Sequence, residues 1–271
     1  MSEFSQQLIE RSGYLNEGFP RVYDRYRPSP PPGVLDVLTF LVGRARPRLA
    51  VDLGCGTGLA TRALAERADE VVGIEPNPRM LAHARAATDQ RNVRYQEGYG
   101  NDTGLDGGTA DLVTAWQAFH WMEPQPALAE AARILRDRGV FAACDYDVPP
   151  VVEPEVDAAF TELIRARREA RQRLALPAGS SSWPKERHLD EIRASRRFRY
   201  VCEVVAGGWW ETNAERMIGL AESIGGPRQM FGGAAPEVGE TFERLRETAT
   251  QVLGDRPWRS LLCYRIRAGI K

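Results

Sequence analysis

Three glycines at alternate positions, Gly54, Gly56 and Gly58, follow an apolar run, Leu49-Ala50-Val51, that ends at Asp52 and Leu53. A helical pattern opens directly after them at Leu59. Strand, tight turn and helix N-terminus in that order let a ligand lie against bare backbone, because glycine admits positive φ and carries no Cβ. A second acid, Glu75, ends the next apolar run. It lies about twenty residues past the glycines, where doubly wound folds bring a carboxylate to ribose hydroxyls. Alone, the glycines would read as a ligand-free turn and Glu75 as a surface acid. Together they argue for a nucleoside-containing ligand. The spacing is Gly-x-Gly-x-Gly, whereas dinucleotide binders carry Gly-x-Gly-x-x-Gly. Asp52 would repel a pyrophosphate at the helix N-terminus, and it suits a ligand with a cationic end such as an amino acid ammonium. The third chemical group is His120, one of 3 histidines, flanked by Phe119 and Trp121. It reads either as a general base or as a side chain that orients a substrate by hydrogen bonding.

The elements that must position these groups follow from hydrophobic periodicity. Segments 49–53, 70–74, 93–96, 110–115 and 140–145 read as strands, with helices over 59–68, 78–87 and 126–135 among them. Pro76 blocks continuation of the second strand, and Asn77-Pro78 starts a helix that carries Met80, Leu81 and Ala84 on one face. Such alternation predicts an α/β fold, a doubly wound and mostly parallel sheet covered on both faces. Ligands bind there at the carboxyl ends of the strands. Asp52 to Gly54, Glu75, Gly98-Tyr99, Gln117 to His120 and Asp145-Tyr146 all fall on that edge. Residues 1–33 read as an N-terminal arm ending in the stiff Pro28-Ser29-Pro30-Pro31-Pro32-Gly33 break. Residues 34–150 read as the ligand-binding core. Residues 151–271 read as a helical lid, with strands near 198–205 and 261–266 returning to the edge of the sheet.

The run Val51-Asp52-Leu53-Gly54-Cys55-Gly56-Thr57-Gly58 resembles motif I of the class I S-adenosylmethionine-dependent methyltransferases. Val72 to Leu81 is similar to the second motif of that family. Asp111 to Thr114 and Gln117 to Trp121 resemble the post-strand motif of its trans-aconitate and ubiquinone/menaquinone-biosynthesis-like group. Ala132 to Gly139 and Tyr26-Arg27-Pro28 are similar to its helix-to-strand turn and the start of its N-terminal cap. The resemblance covers about residues 20–146 and implies a Rossmann-like methyltransferase fold with a helical cap. It implies S-adenosyl-L-methionine as cofactor and in-line displacement of its methyl group. The glycine-turn residues Asp52, Gly54, Cys55, Gly56 and Gly58 would bind the cofactor, with Glu75, Pro76 and Met80 beyond the second strand. Gln117 and Ala118 would join them, and Arg27 would close over the cofactor carboxylate or the substrate. After the third strand the family carries an acid followed by Ala for the adenine amino group, and this chain reads Glu97-Gly98-Tyr99-Gly100-Asn101-Asp102. Tyr99 is placed either to stack on the ring or to block it, and Asn101 or Asp102 to hydrogen-bond. His120 is the expected catalytic residue. Tyr26, Trp121, Tyr146, Trp183, Trp209 and Met230 are expected at the substrate, since aromatic and Met side chains suit an apolar or planar small molecule. Any one lid side chain alone reads sooner as core between lid and sheet, and the set together less so.

Composition sets the bounds. The chain has 271 residues, 43% hydrophobic and 27% charged, as an ordinary globular protein does. A net charge of -1 gives no field to recruit nucleic acid or anionic membrane. No apolar run reaches bilayer length, and the N-terminal stretch lacks the apolar core of a signal peptide, so a cytoplasmic location is expected. The 4 cysteines form no Cys-x-x-Cys pair, so neither a metal site nor a disulfide framework is expected. Arginines at 165–173 alternate with Glu162 and Glu169 and read as a solvated face rather than an RNA surface. The expected activity is methylation of a small molecule, at a carboxylate or hydroxyl oxygen, with no nucleic-acid or membrane partner. An RNA-modifying methyltransferase and a non-methylating S-adenosylmethionine-binding protein remain alternatives. The glycine spacing disfavours a nicotinamide-dependent dehydrogenase.

Overall fold

Strands and helices alternate along the first half of the chain. The computed structural model describes residues 18–174, 183–224 and 234–271. The elements begin α1 (Phe19–Tyr26), α2 (Pro32–Val42), β1 (Leu49–Leu53), α3 (Leu59–Ala65), β2 (Glu70–Glu75), α4 (Pro78–Ala86) and β3 (Val93–Glu97). They continue β4 (Ala110–Trp116), α5 (Pro124–Ile134), β5 (Leu135–Tyr146), α6 (Pro154–Arg173) and α7 (His188–Ala194). The last are β6 (Tyr200–Thr212), α8 (Ala214–Ser223), α9 (Pro236–Val252) and β7 (Trp258–Ile270). One 7-stranded sheet runs β3-β2-β1-β4-β5-β7-β6. The first five strands pair in parallel, and β7 pairs antiparallel to β5. Chain order reverses beside β1, which lies between β2 and β4, so the ligand crevice of a doubly wound sheet opens at its carboxyl end.

The central strands are buried on both faces, which is why they read as unbroken apolar runs. Phe119 and Phe141 meet edge to face at 5.4 Å, in a core that also holds Leu128, Ile134 and Leu135. The final two strands return to the sheet edge as the pattern predicts, but each is 13 residues long. Pairing within the sheet carries them past the stretch where alternation is visible. Likewise β5 starts at Leu135, directly after the helix, and Arg138 takes a left-handed φ of 64° within it.

The chain divides into two compact units that interleave rather than succeed one another. The sheet unit comprises Ser29–Tyr146, Ser182–Gly208 and Tyr264–Lys271. Within it α7 packs on α5, drawing the segment around residue 188 into the core that a three-part division at 33 and 150 assigns elsewhere. Among the described residues, the helical unit comprises 18–28, 147–174, 209–224 and 234–263. In it α6 packs on α9, and α1 packs on α8, where the Tyr26 ring leaves no room for a Cβ at Gly219. Arg167 departs from the solvated face expected of the arginine-rich helix. It is 5% exposed, and its Nη1 donates to the carbonyls of Ala221 and Ile224 at the end of α8. The Ala221 carbonyl also accepts the Ile224 N–H at 3.4 Å, so the buried guanidinium adds a donor to carbonyls at the helix end. No helix among the described residues is long and apolar enough to cross a membrane.

Candidate active site

The turn from β1 into α3 carries Gly54, Gly56 and Gly58 at φ 65°, 58° and 84°. Side-chain-bearing residues avoid that region. Gly54 is required twice over, since a Cβ there would stand 2.8 Å from the Cβ of Ala118. Glu75 holds the turn from the tip of β2. Its Oε2 accepts the Gly56 N–H at 2.8 Å, and its Oε1 accepts the Asn77 N–H at 2.9 Å. Asn77 in turn caps α4, accepting from the N–H groups of Arg79 and Met80. Burial pushes Glu75 up to about 7, against the pull of its two N–H donors. Asp52 is more enclosed, at 1% exposure. Thr61 Oγ1 donates to it at 2.7 Å and Thr114 Oγ1 at 3.3 Å, so its carboxyl ties β1 to α3 and β4. Burial pushes it, too, up to about 7. The Cys55 thiol is buried and its pKa raised, chiefly by burial, which makes it unreactive. Met80 is buried beneath the turn, its Cε 3.4 Å from where a Cβ of Gly56 would stand, and Pro76 is half-buried beside Glu75. After β3, Tyr99 and Asp102 pair through both backbone groups, leaving the Asn101 and Asp102 side chains exposed at the tip and Tyr99 half-buried.

A second constellation stands where β4 and β5 end. Gln117 leaves β4 with φ 49°, a left-handed conformation that is uncommon outside glycine and gathers at functional sites. Its Nε2 donates to the Tyr146 carbonyl at 3.2 Å, and its Oε1 accepts from Lys185 Nζ. His120 lies in the short helical turn Phe119–Trp121 and is 8% exposed, its carbonyl accepting the Trp183 N–H at 2.7 Å. The Trp121 ring stands 5.0 Å from the His120 ring, and Tyr146 is buried edge-on to Tyr264. The hub is Asp145, 4% exposed. Its Oδ1 lies 3.0 Å from Lys185 Nζ, and its Oδ2 lies 3.2 Å from His188 Nδ1 and 3.3 Å from Arg267 Nη1. Burial pushes Asp145 up, but His188, Lys185 and His120 beside it outweigh burial and hold its carboxyl far below the usual range. His120 Nδ1 is 3.9 Å from Oδ1, beyond hydrogen-bond length. Arg267 is also held by Glu203 at 2.8 Å.

The structure thus gathers the glycine turn, Glu75, Met80, Gln117, Ala118, His120 and Tyr146 within the sheet unit. Asp145, Lys185 and Arg267 are added to the expected set. The one sequence signal for them is Asp145 at a strand's carboxyl end. Tyr26, Arg27 and Trp209 belong to the helical unit. There Tyr26 donates to Glu215 at 2.9 Å, and Arg27 donates to the Ser223 carbonyl at 2.6 Å. Trp209 is exposed beneath the Arg259 guanidinium. Met230 lies outside the described residues. No cluster of His, Cys, Asp and Glu among the described residues could hold a metal ion.

A mostly parallel sheet closed by an antiparallel strand, a glycine turn after its first strand and a carboxylate at the tip of its second define a class. It is the Rossmann-like methyltransferase fold. Residues 51–143 match the family described as a methyltransferase domain. An uncharacterized methyltransferase of Mycobacterium bovis, Mb3374, is 41% identical over 117 residues, 43% of this chain and 46% of its own length. CRG1 of Saccharomyces cerevisiae, named a probable S-adenosylmethionine-dependent methyltransferase, is 31% identical over 152 residues, 54% of this chain and 52% of its own. The solved structure of a candidate type II methyltransferase from Anaeromyxobacter dehalogenans superposes with a TM-score of 0.63. It is 27% identical and covers 90% of this chain and 98% of its own. The chain spans about half the length of the curated relatives it matches. Residues 51–143 are therefore a methyltransferase domain.

Proposed function

We propose that the protein transfers the methyl group of S-adenosylmethionine to a small molecule, at a carboxylate or hydroxyl oxygen. The observation that carries this reading is the Glu75 carboxylate, fixed by the Gly56 and Asn77 N–H groups beside a turn of positive-φ glycines. Two N–H bonds leave it lone pairs for a ribose diol. The backbone of Gly54 and Gly56 admits the methionyl chain, and Gln117 and Ala118 stand at the adjoining strand end. Bound cofactor supplies a methyl group on a sulfonium whose departure leaves a neutral thioether, so no acid is required.

Orientation then dominates, since holding donor and acceptor in line is worth about 7–11 kcal/mol. General base catalysis is worth only ~10²–10⁴-fold, or about 3–5 kcal/mol. His120, enclosed at the end of β4, orients the acceptor, and it removes a proton where the acceptor is a hydroxyl. The resemblance of Gln117 to Trp121 to the trans-aconitate and ubiquinone/menaquinone-like group supports a small-molecule acceptor. Calorimetry with S-adenosylhomocysteine and with NAD tests the cofactor. Methyl transfer from labelled S-adenosylmethionine to a panel of carboxylic acids, phenols and transfer RNA tests the acceptor. Binding of NAD alone, or transfer to RNA alone, refutes the proposal.

A further inference from the structure

Met122 follows the Phe119–Trp121 turn and closes it, its N–H donating to the Phe119 carbonyl at 3.0 Å. Its half-buried side chain leaves the margin of the core and lies between two glycines of the ligand edge. A Cβ at Gly54 would stand 3.1 Å from Met122 Cε. A Cβ at Gly100 would stand 2.6 Å from its Sδ and 3.3 Å from its Cγ and Cε. Gly54 opens the turn after β1, and Gly100 sits in the loop after β3. Strand β2 runs between those two strands and ends at Glu75. The Met122 side chain thus touches both ends of the path from the glycine turn, past Glu75, to the loop after β3. Resting on the proposed function, we propose that Met122 is a specificity-determining residue of the cofactor site, its thioether forming the apolar wall against which the nucleoside lies. Methionine suits the position. It is unbranched with three rotatable bonds, so it threads between two backbones, and its polarizable sulfur packs well on a planar ring. Gly100 leaves room for its sulfur, since a Cβ there would stand 2.6 Å from Sδ.

The test uses the full chain and S-adenosylhomocysteine as probe. Calorimetry gives the affinity of wild type and of Met122→Leu, Met122→Ala and Met122→Phe, with melting curves to show that each is folded. Oxidation of Met122 in the wild type by hydrogen peroxide, followed by mass spectrometry, reports contact directly. The Leu variant, close in volume, should bind within about threefold of wild type. The Ala variant should bind about tenfold or more weakly, and the Phe variant more weakly still. Bound S-adenosylhomocysteine should slow sulfoxide formation at Met122 by about fivefold or more. A wild type that binds no S-adenosylhomocysteine overturns the proposed function and this inference with it. A wild type that binds, with folded Ala and Phe variants matching it and oxidation unaffected by ligand, overturns this inference alone.

Discussion

Substituting Glu75→Gln should separate folding from cofactor binding. Burial moves the Glu75 carboxyl from its ordinary 4.5 up to about 7. That gap corresponds to about 3 kcal/mol at about 1.4 kcal/mol per tenfold. A carboxyl raised in the folded state costs stability once it ionises. Its favourable contribution is complete below about 4.5 and is lost as pH rises through about 7. At pH near 8 the glutamine recovers about 3 kcal/mol of that loss. It forfeits a charged hydrogen bond worth about 1.5–3 kcal/mol, because its single carbonyl oxygen can serve only one of Gly56 and Asn77. The two terms nearly cancel, so the melting temperature should move by only a few degrees either way. Cofactor binding has no such compensation. Loss of one charge-assisted bond to the ribose costs about 1.5–3 kcal/mol, and S-adenosylhomocysteine should bind roughly 10–100-fold more weakly. In wild type the affinity should also rise between about pH 6 and 8 as Glu75 ionises, and the variant should lose that dependence. Calorimetry and thermal melts across pH read both quantities. An affinity within about twofold of wild type would refute the role assigned to Glu75.

Other substitutions address the remaining parts of the site. Asp145→Asn strips Lys185, His188 and Arg267 of a shared buried carboxylate and should destabilise the fold by about 3–5 kcal/mol in denaturant titrations at neutral pH. Because Asp145 is held low, its contribution is present above the usual carboxylate range and is lost as pH falls through its depressed value. The difference between wild type and Asp145→Asn should therefore shrink on acidification, and a constant difference would contradict the assignment. Gly54→Ala meets both a φ of 65° and the Ala118 Cβ, so it should cost about 1–3 kcal/mol and abolish S-adenosylhomocysteine binding. An Ala variant that binds normally would show that the turn makes no close approach to the cofactor. His120→Ala should lower turnover by about 10²–10⁴-fold on a hydroxyl acceptor while leaving cofactor affinity unchanged, and unaltered turnover would sink the proposed role.

Local spacing determined the cofactor half of this protein. Alternate glycines, an acid at the tip of β2 and the Asn77-Pro78 helix start act over a few residues, so strand, turn and helix are legible without a partner. Periodicity likewise marked the strands and placed the last two at the sheet edge, since burial on both faces leaves an unbroken apolar run. Only the tertiary structure decided the rest. Asp145 becomes a hub because β7 brings Arg267 to it, the segment before α7 brings Lys185 and the start of α7 brings His188, and no spacing in the chain encodes those meetings. Arg167, one charge in an arginine-rich stretch, is buried where it donates to the carbonyls of Ala221 and Ile224 at the end of α8. Met122 gains its place from two glycines on different strand ends. Short-range order follows from backbone freedom and hydrophobic period, whereas the constellation around Asp145 is assembled from contacts between segments far apart in sequence.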